Sequence, residues 1–463
     1  MPIDILPEDV LLVIFDYYVA EADKERKFEE WQILVHVCQN WRYVVFQSPR
    51  RLNLRILCSA ETPVREKLAL WPPLPIIVAQ SSFSTSKCGE DNIIAALGHN
   101  DRICKIALAI PSSQLESIFT AMQKTFVALN HLWLYAMDDT EHVVSDSFLG
   151  GFAPQLRYLW LICIPFPFPV LRKLLLSAPN LVILSLRDIP HSGYFSPEAM
   201  VTCLAALTRL NHLCIEFKYP RSRSSREGRR LPPTRFVLPS LKVLTFTGVS
   251  EYLEDLVTWI DTPLLNRLNI TFFHQLIFVT PQLIQFINRT PKLKAYDEVH
   301  VIFSNSYATI SLPGRDNLGL ELRILCRPSD WQLLSLAQVC TSASPFTQTL
   351  FPTLEHLYIE IAFPRPIWQD DLENGQWLDL FHAFTTVKNL YLSQEFIPRI
   401  VSTLQELVGE RVNEVLPNLQ SILLEEPGSV PEAMQQFIAA RQLSSHPIAI
   451  SHWTRQDNWS TFY

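Results

Sequence analysis

Apolar residues recur down the chain in a short pattern, Leu-x-x-Leu-x-Leu or a close aliphatic variant, as in Leu156, Leu159, Leu161 and again in Leu354, Leu357, Ile359. Ten clear copies begin at Ile103, Leu129, Leu156, Leu181, Leu210, Leu241, Leu265, Leu354, Val387 and Leu419, and most neighbours lie 24 to 33 residues apart. Their last positions alternate apolar with polar, the period of a strand with one buried face. Between copies the spacing becomes helical: Leu115, Ile118, Phe119 and Met122 share one helix face, with Ser112 or Ser113 as candidate cap. In SPEAMVTCLAAL, Ser196 is a candidate cap and Pro197 a first-turn proline. A unit of one strand and one helix cannot bury its own apolar face. The pattern therefore predicts an α/β solenoid, with parallel strands on one face and helices on the other.

From Leu265 to Leu354 the period predicts two further strands, around Leu293 and Leu318. The runs LNLRIL (52–57) and LPIIV (74–78) are expected to begin the array. Within each strand the residues between the leucines face outward. They are His131, Trp133, Tyr135, Tyr158, Trp160, Ser185, Arg187, His212 and Glu216, then Arg267, Asn269, His356, Tyr358, Glu360 and Tyr391. Trp133, Tyr135, Tyr158 and Trp160 are expected to stand together on consecutive strands, the residue types of a protein-binding hot spot. Arg187, Arg267, Tyr358 and Tyr391 extend this candidate substrate face. If the C-terminal segment covers it, these aromatics become core instead.

The repeat resembles the leucine-rich repeat family. There the pattern continues to an asparagine that bonds neighbouring turns; here Met137, Ile164, Ile189, Val249 and Phe273 hold that place. The resemblance thus implies apolar stacking at the turn and irregular curvature.

Composition narrows the partners. A chain of 463 residues with a formal charge of −7 gives no reason to expect nucleic acid or an anionic membrane. No apolar run reaches the 18 or so residues needed to span a bilayer, and Asp4, Glu8 and Asp9 do not suit a secretory leader. Nine scattered cysteines without a C-x-x-C pair suggest reduced, mostly buried thiols and no zinc site. One segment departs from the average: residues 218–235 carry Lys218, Arg221, Arg223, Arg226, Arg229, Arg230 and Arg235 among serines and prolines. It reads as a basic loop inserted between repeats, able to meet an acidic or phosphorylated segment.

Residues 1–50 lack the repeat and form a separate module before the solenoid of 51–463. Leu6 and Pro7 precede a helix in which Val10, Leu11, Ile14 and Phe15 make adjacent apolar stripes, and Glu8 and Asp9 meet the positive end of the helix dipole. A second helix, WQILVHVCQNWRYVVF, is expected to carry Leu34, Val37, Cys38 and Trp41 on one face. So small a piece cannot hide two such faces, so they should form an exposed apolar surface. These residues resemble the F-box, whose pattern runs Leu-Pro-x-Glu-Leu-Leu-x-x-Ile-Phe and then Leu-x-x-Val-Cys-x-x-Trp-Arg. Leu6, Pro7, Asp9, Val10, Leu11, Ile14 and Phe15 match the first half, with Asp9 for Glu and Val10 for Leu. Leu34, Val37, Cys38, Trp41, Arg42 and Pro49 match the second. The charged stretch EADKERKFEE lengthens the link between the halves. The layout looks like the expanded F-box families of mushroom-forming fungi. That resemblance implies a non-catalytic substrate receptor, intracellular (cytoplasmic, nuclear or both), docked on a Skp-type adaptor and through it on a cullin-RING ubiquitin ligase. A repeat scaffold outside ubiquitination is the alternative.

Sequence signatures of chemistry are missing. Only 12 glycines occur, with no G-x-G-x-x-G, G-x-x-x-x-G-K-[ST], G-x-S-x-G or H-E-x-x-H. His131, His212 and His356 recur because they share one repeat position, so no cofactor or metal is expected.

Overall fold

The computed structural model describes residues 6–24, 29–80, 87–138, 144–221, 234–275, 277–278, 280–293, 296–314, 319–326, 329–341, 353–365, 374–407, 409–425 and 431–454. They fold as two compact units, Met1–Phe195 and Ser196–Tyr463. The sequence boundary at residue 50 falls inside the first.

In the first unit, three helices precede the sheet: α1 (Glu8–Lys24), α2 (Trp31–Val37) and α3 (Gln39–Gln47). The charged link continues α1 by an extension to Lys24. The expected second helix is two helices. Cys38 is extended at φ −156° and ψ 172°, and its Sγ accepts from Trp41 N at 3.4 Å. That break turns Trp41 to meet Phe15, ring centroids 4.7 Å apart. Strands β1 (Ile56–Cys58), β2 (Ile76–Ala79), β3 (Ile103–Ile110), β4 (His131–Ala136), β5 (Tyr158–Ile162) and β6 (Ile183–Ile189) then pair in chain order, all parallel. Helices α4 (Val64–Leu70), α5 (Lys87–Leu97), α6 (Leu115–Ala121) and α7 (Phe168–Leu176) run between them.

In the second unit, β7 (His212–Phe217), β9 (Val243–Gly248) and β11 (Arg267–Phe273) are parallel neighbours. A side pair, β8 (Phe236–Val237) and β10 (Ile260–Asp261), flanks them. The order then changes. Where two parallel strands were expected there are three: β12 (Glu298–Phe303), β13 (Tyr307–Pro313) and β14 (Gly319–Leu325). The spatial order is β11, β14, β13, β12 and then β15 (His356–Ile361), with β13 antiparallel to both neighbours. Ser304 explains the reversal, because its Oγ accepts from Ser306 N and Tyr307 N at 3.3 and 3.1 Å, closing a tight turn. Gly319 opens β14 at φ +145°, where a Cβ would collide with the Leu312 carbonyl. Strands β15, β16 (Asn389–Leu392), β17 (Ser421–Leu424) and β18 (Ala449–His452) resume the parallel order. Helices α8 (Pro197–Leu204), α9 (Ser250–Trp259), α10 (Pro281–Arg289), α11 (Ser329–Thr341), α12 (Asn374–Phe381), α13 (Ile397–Gln405) and α14 (Glu432–Leu443) complete the unit.

The repeat pattern accounts for the core of each unit. Every first-position residue of the ten copies is buried, as are their partners, for example Leu159 and Leu161 or Leu357 and Ile359. Each buried Leu contributes about 1.5–3 kcal/mol. At the position of the missing asparagine, Ile164, Ile189 and Val249 are buried, and Met137 and Phe273 are half-buried. Ser196 caps α8 by accepting from Ala199 N at 3.3 Å. Ser112 does not cap α6; its Oγ donates to Asp138 at 3.3 Å. Two buried charges replace local caps elsewhere. Glu254 of α9 accepts from Gln282 N and Leu283 N at 2.9 and 2.8 Å, stopping the start of α10 from being orphaned. Arg441 of α14, fully buried, donates to the carbonyls of Val412 and Leu416.

None of the nine cysteines is in a disulfide; five are buried, and Cys88 is exposed. Burial pushes the Cys58 thiol up to about 11. Among the described residues no helix is long and apolar enough to cross a membrane.

Candidate functional site

Among the described residues, three surfaces are candidates for a functional site. The first is on the N-terminal helices. One flank of this module is fixed to the first repeat: Trp31, buried, donates from Nε1 to Arg55 O at 2.8 Å and lies edge-on to Trp71. Glu29 accepts from Leu57 N at 3.0 Å and pairs with Lys67 at 2.7 Å, so a carboxylate caps the outer edge of β1. The other flank is open. Pro7, Val10, Ile14 and Val37 are exposed, Ile14 at 44% and Val37 at 51%, beside Val13, Tyr17, Ile33 and Tyr43. Leu6 and Trp41 are half-buried, as is Cys38, and Arg42 is exposed with its Nε donating to Val35 O. Leu11, Phe15 and Leu34 correct the expectation of one wholly exposed surface. They are buried at 0, 0 and 6% exposure, because three short helices need a core of their own.

The second surface is the open sheet face of the first unit. Ala107, Trp133, Trp160 and Ser185 stand in register across β3 to β6, and Lys105, His131, Tyr158 and Ile183 form the next row. Tyr135 completes the aromatic set at half exposure, and Arg187 is exposed at its margin. The Trp160 ring packs on His131 at 4.8 Å and lies parallel to Tyr158 at 5.8 Å. None of these positions carries a carboxylate. Burial and then the Lys105 charge therefore hold the His131 imidazole neutral, its pKa down at about 4.

The third surface lies on the second unit; the sequence pointed to Arg267, Tyr358, Glu360 and Tyr391 but not to Glu298, His300 or Trp453. His300, Tyr358 and Tyr391, from β12, β15 and β16, form a ladder of stacked rings with centroids 4.3 and 4.0 Å apart. His300 Nδ1 bonds the buried Glu360 carboxylate at 2.7 Å, and its Nε2 lies 3.9 Å from Glu298. Burial opposes the charged imidazolium, yet the two carboxylates outweigh it and raise the His300 pKa. Burial foremost also raises the Tyr358 phenol, keeping it protonated. Trp453, just after β18, lies nearly perpendicular to both tyrosines at 5.7 and 5.6 Å. Part of the C-terminal segment thus does rest on this face, and Tyr358 and Tyr391 are half-buried. Arg267 stands half-buried on β11, and beyond it Arg323 pairs with Glu321 and covers the Tyr307 ring.

The sequence signal for the missed residues was the alternation in EVHVIF, which puts Glu298, His300 and Ile302 outward and buries Val299, Val301 and Phe303. Of the basic loop, Arg221 is exposed, whereas Arg223, Arg226, Arg229 and Arg230 lie outside the described residues. An apolar hollow in the first unit is lined by Leu161, Phe166, Leu171, Leu186 and Phe195, side chains that offer no acid, base or nucleophile.

No protein-family model matches this chain, and neither does any curated protein. Among solved structures it is similar to the leucine-rich repeat-containing protein LegL7 from Legionella pneumophila, at 12% identity and a TM-score of 0.26, over 85% of this chain and 98% of that one.

Proposed function

We propose that this chain is the substrate-recognition subunit of a Skp–cullin–F-box type ubiquitin ligase. Its N-terminal helices dock on a Skp-type adaptor, and its repeats hold a protein substrate close to the conjugating enzyme. The chain itself supplies no chemistry on this reading; rate comes from proximity, which turns a bimolecular encounter into a near-unimolecular one. One observation carries the proposal. The module is fixed to the repeats through Trp31 and Glu29, while Pro7, Val10, Ile14 and Val37, all within the F-box-like motif, stay exposed on its other flank. Apolar side chains left open beside a rigid anchor are what a partner helix covers.

The test is reconstitution. Mixing the chain with Skp-type adaptors from its source organism should give a one-to-one complex by size exclusion. Ile14→Asp with Val37→Asp should weaken it by about 2–4 kcal/mol without lowering the melting temperature. Absence of a complex with the unaltered chain would remove the ligase reading. The capped edge of β1 favours a second reading, in which the helices only close the repeat array and the chain is an interaction scaffold outside ubiquitination. The same experiment separates the two, since a cap needs no adaptor.

A further inference from the structure

The third surface has a chemistry of its own. Its central feature is the ring ladder of His300, Tyr358 and Tyr391, held at 4.3 and 4.0 Å with interplanar angles of 4° and 15°. Both faces of Tyr358 are therefore covered, the two tyrosines are half-buried, and the Tyr391 hydroxyl lies 3.2 Å from His356 Nδ1, keeping a lone pair for a further donor. At its margin stands Glu298, whose side chain is 38% exposed. Glu360 is buried and already opposed by His300, so the accessible charge at the margin is the Glu298 carboxylate. The single His300 ring lies between Glu298 and Glu360 and cannot offset both carboxylates, and the cations on neighbouring strands are engaged elsewhere. Lys388 pairs with Glu355 at 2.6 Å, Arg323 is taken up by Glu321 and Tyr307, and Asp297, next to Glu298, is exposed. Trp453 adds an indole beside the tyrosines.

An anionic group entering here would meet Glu298 and Asp297 and be repelled. An aliphatic side chain would strip water from a carboxylate and two phenols without bonding them. A planar cation satisfies all three kinds of group: it bonds the carboxylate in bidentate fashion, donates to phenol oxygens and lies against an aromatic ring. We propose that the patch formed by Glu298, Tyr358, Tyr391 and Trp453 binds an arginine side chain of the captured protein. The identity of that protein as a ligase substrate rests on the proposed function; the affinity for arginine does not.

The full-length chain, labelled with 5-fluorotryptophan, provides the test by fluorine NMR, with Trp453 assigned by the loss of its signal in Trp453→Phe. N-acetyl-arginine amide should shift the Trp453 resonance saturably, whereas the neutral isostere N-acetyl-citrulline amide should not. Glu298→Gln should weaken the arginine titration at least about tenfold, the worth of one charge-assisted contact, while thermal unfolding stays in place. Equal shifts from both amides, a Glu298→Gln titration unchanged from the parent, or no shift with arginine amide would each overturn the proposal. Failure to bind a Skp-type adaptor would leave it standing, because that readout belongs to the N-terminal helices alone.

Discussion

The two sheet faces are built from the same repeat positions and the same residue types, yet they shift the pKa of a histidine in opposite directions. On the first unit, His131 lies between Lys105 and Tyr158 in a row of Lys105, His131, Tyr158 and Ile183 that carries no carboxylate, and burial keeps it neutral. On the second, His300 is more deeply buried but sits between Glu298 and Glu360, which raise its pKa. Burial alone would lower both pKa values, so the sign is decided by the charged groups beside each ring, on its own strand and the next. The aromatic groups differ in the same way. Trp133 and Trp160 are laid out over small neighbours, Ala107 and Ser185, whereas Tyr358 is clasped on both sides. A repeat array thus fixes where a side chain points and leaves its chemistry to neighbours on the same and adjacent strands.

The contrast is most sharply broken at Glu360. Replacing it with Ala leaves His300 buried without its main partner and should cost about 3 kcal/mol at pH 6, read by chemical denaturation. The parallel change on the first face, Lys105→Ala, should cost less than about 0.5 kcal/mol. Next comes the ladder. Tyr358→Ala opens both stacking contacts and should cost about 2 kcal/mol, whereas Trp133→Ala with Trp160→Ala should together cost about 1 kcal/mol if the first face is a binding surface. A loss above about 4 kcal/mol for that pair would make the tryptophans core.

The smallest effects concern pH, and their signs are opposed. His300 has a folded pKa above its ordinary value of 6.5, so its contribution is full below about pH 6.5 and is lost as pH rises through the raised value. His131 has a folded pKa of about 4, so its neutral form contributes fully above about pH 6.5 and the contribution falls as pH drops toward 4. His300→Gln should flatten the alkaline limb of the stability profile and His131→Gln the acidic limb. Thermal unfolding across pH 4 to 9 would read both, and limbs exchanged between the variants would refute the assignment.

How much of this was legible in the sequence varies with the range of the interaction involved. The strand positions were readable because burial alternates within a few residues: Leu132 and Leu134 are inward, His131, Trp133 and Tyr135 outward. The register of Trp133 with Trp160 followed from equal repeat position. The antiparallel excursion was not readable from the period, since β12 meets β15 rather than β11, although the Ser and Asn residues at 304–306 were a turn signal. The break at Cys38 was hidden because an i, i+3, i+4, i+7 pattern looks the same with one residue extended in its middle. Of the two carboxylates that raise the His300 pKa, Glu298 lies two residues away, but Glu360 required knowing that it stands across from Ile302, 58 residues along the chain.

That excursion also sets a schedule for the chain as it is made. Each parallel strand of the array can settle on the one before it, but Arg267–Phe273 must wait for the third strand to emerge after it, Gly319–Leu325, 52 residues after Phe273. At roughly 5–20 residues per second the edge of β11 stands open for about 3–10 s, carrying unpaired N–H and C=O groups. Pairing at this point is therefore expected to come late, and chaperone dependence or misfolding in the cell should concentrate there before it touches either end of the molecule.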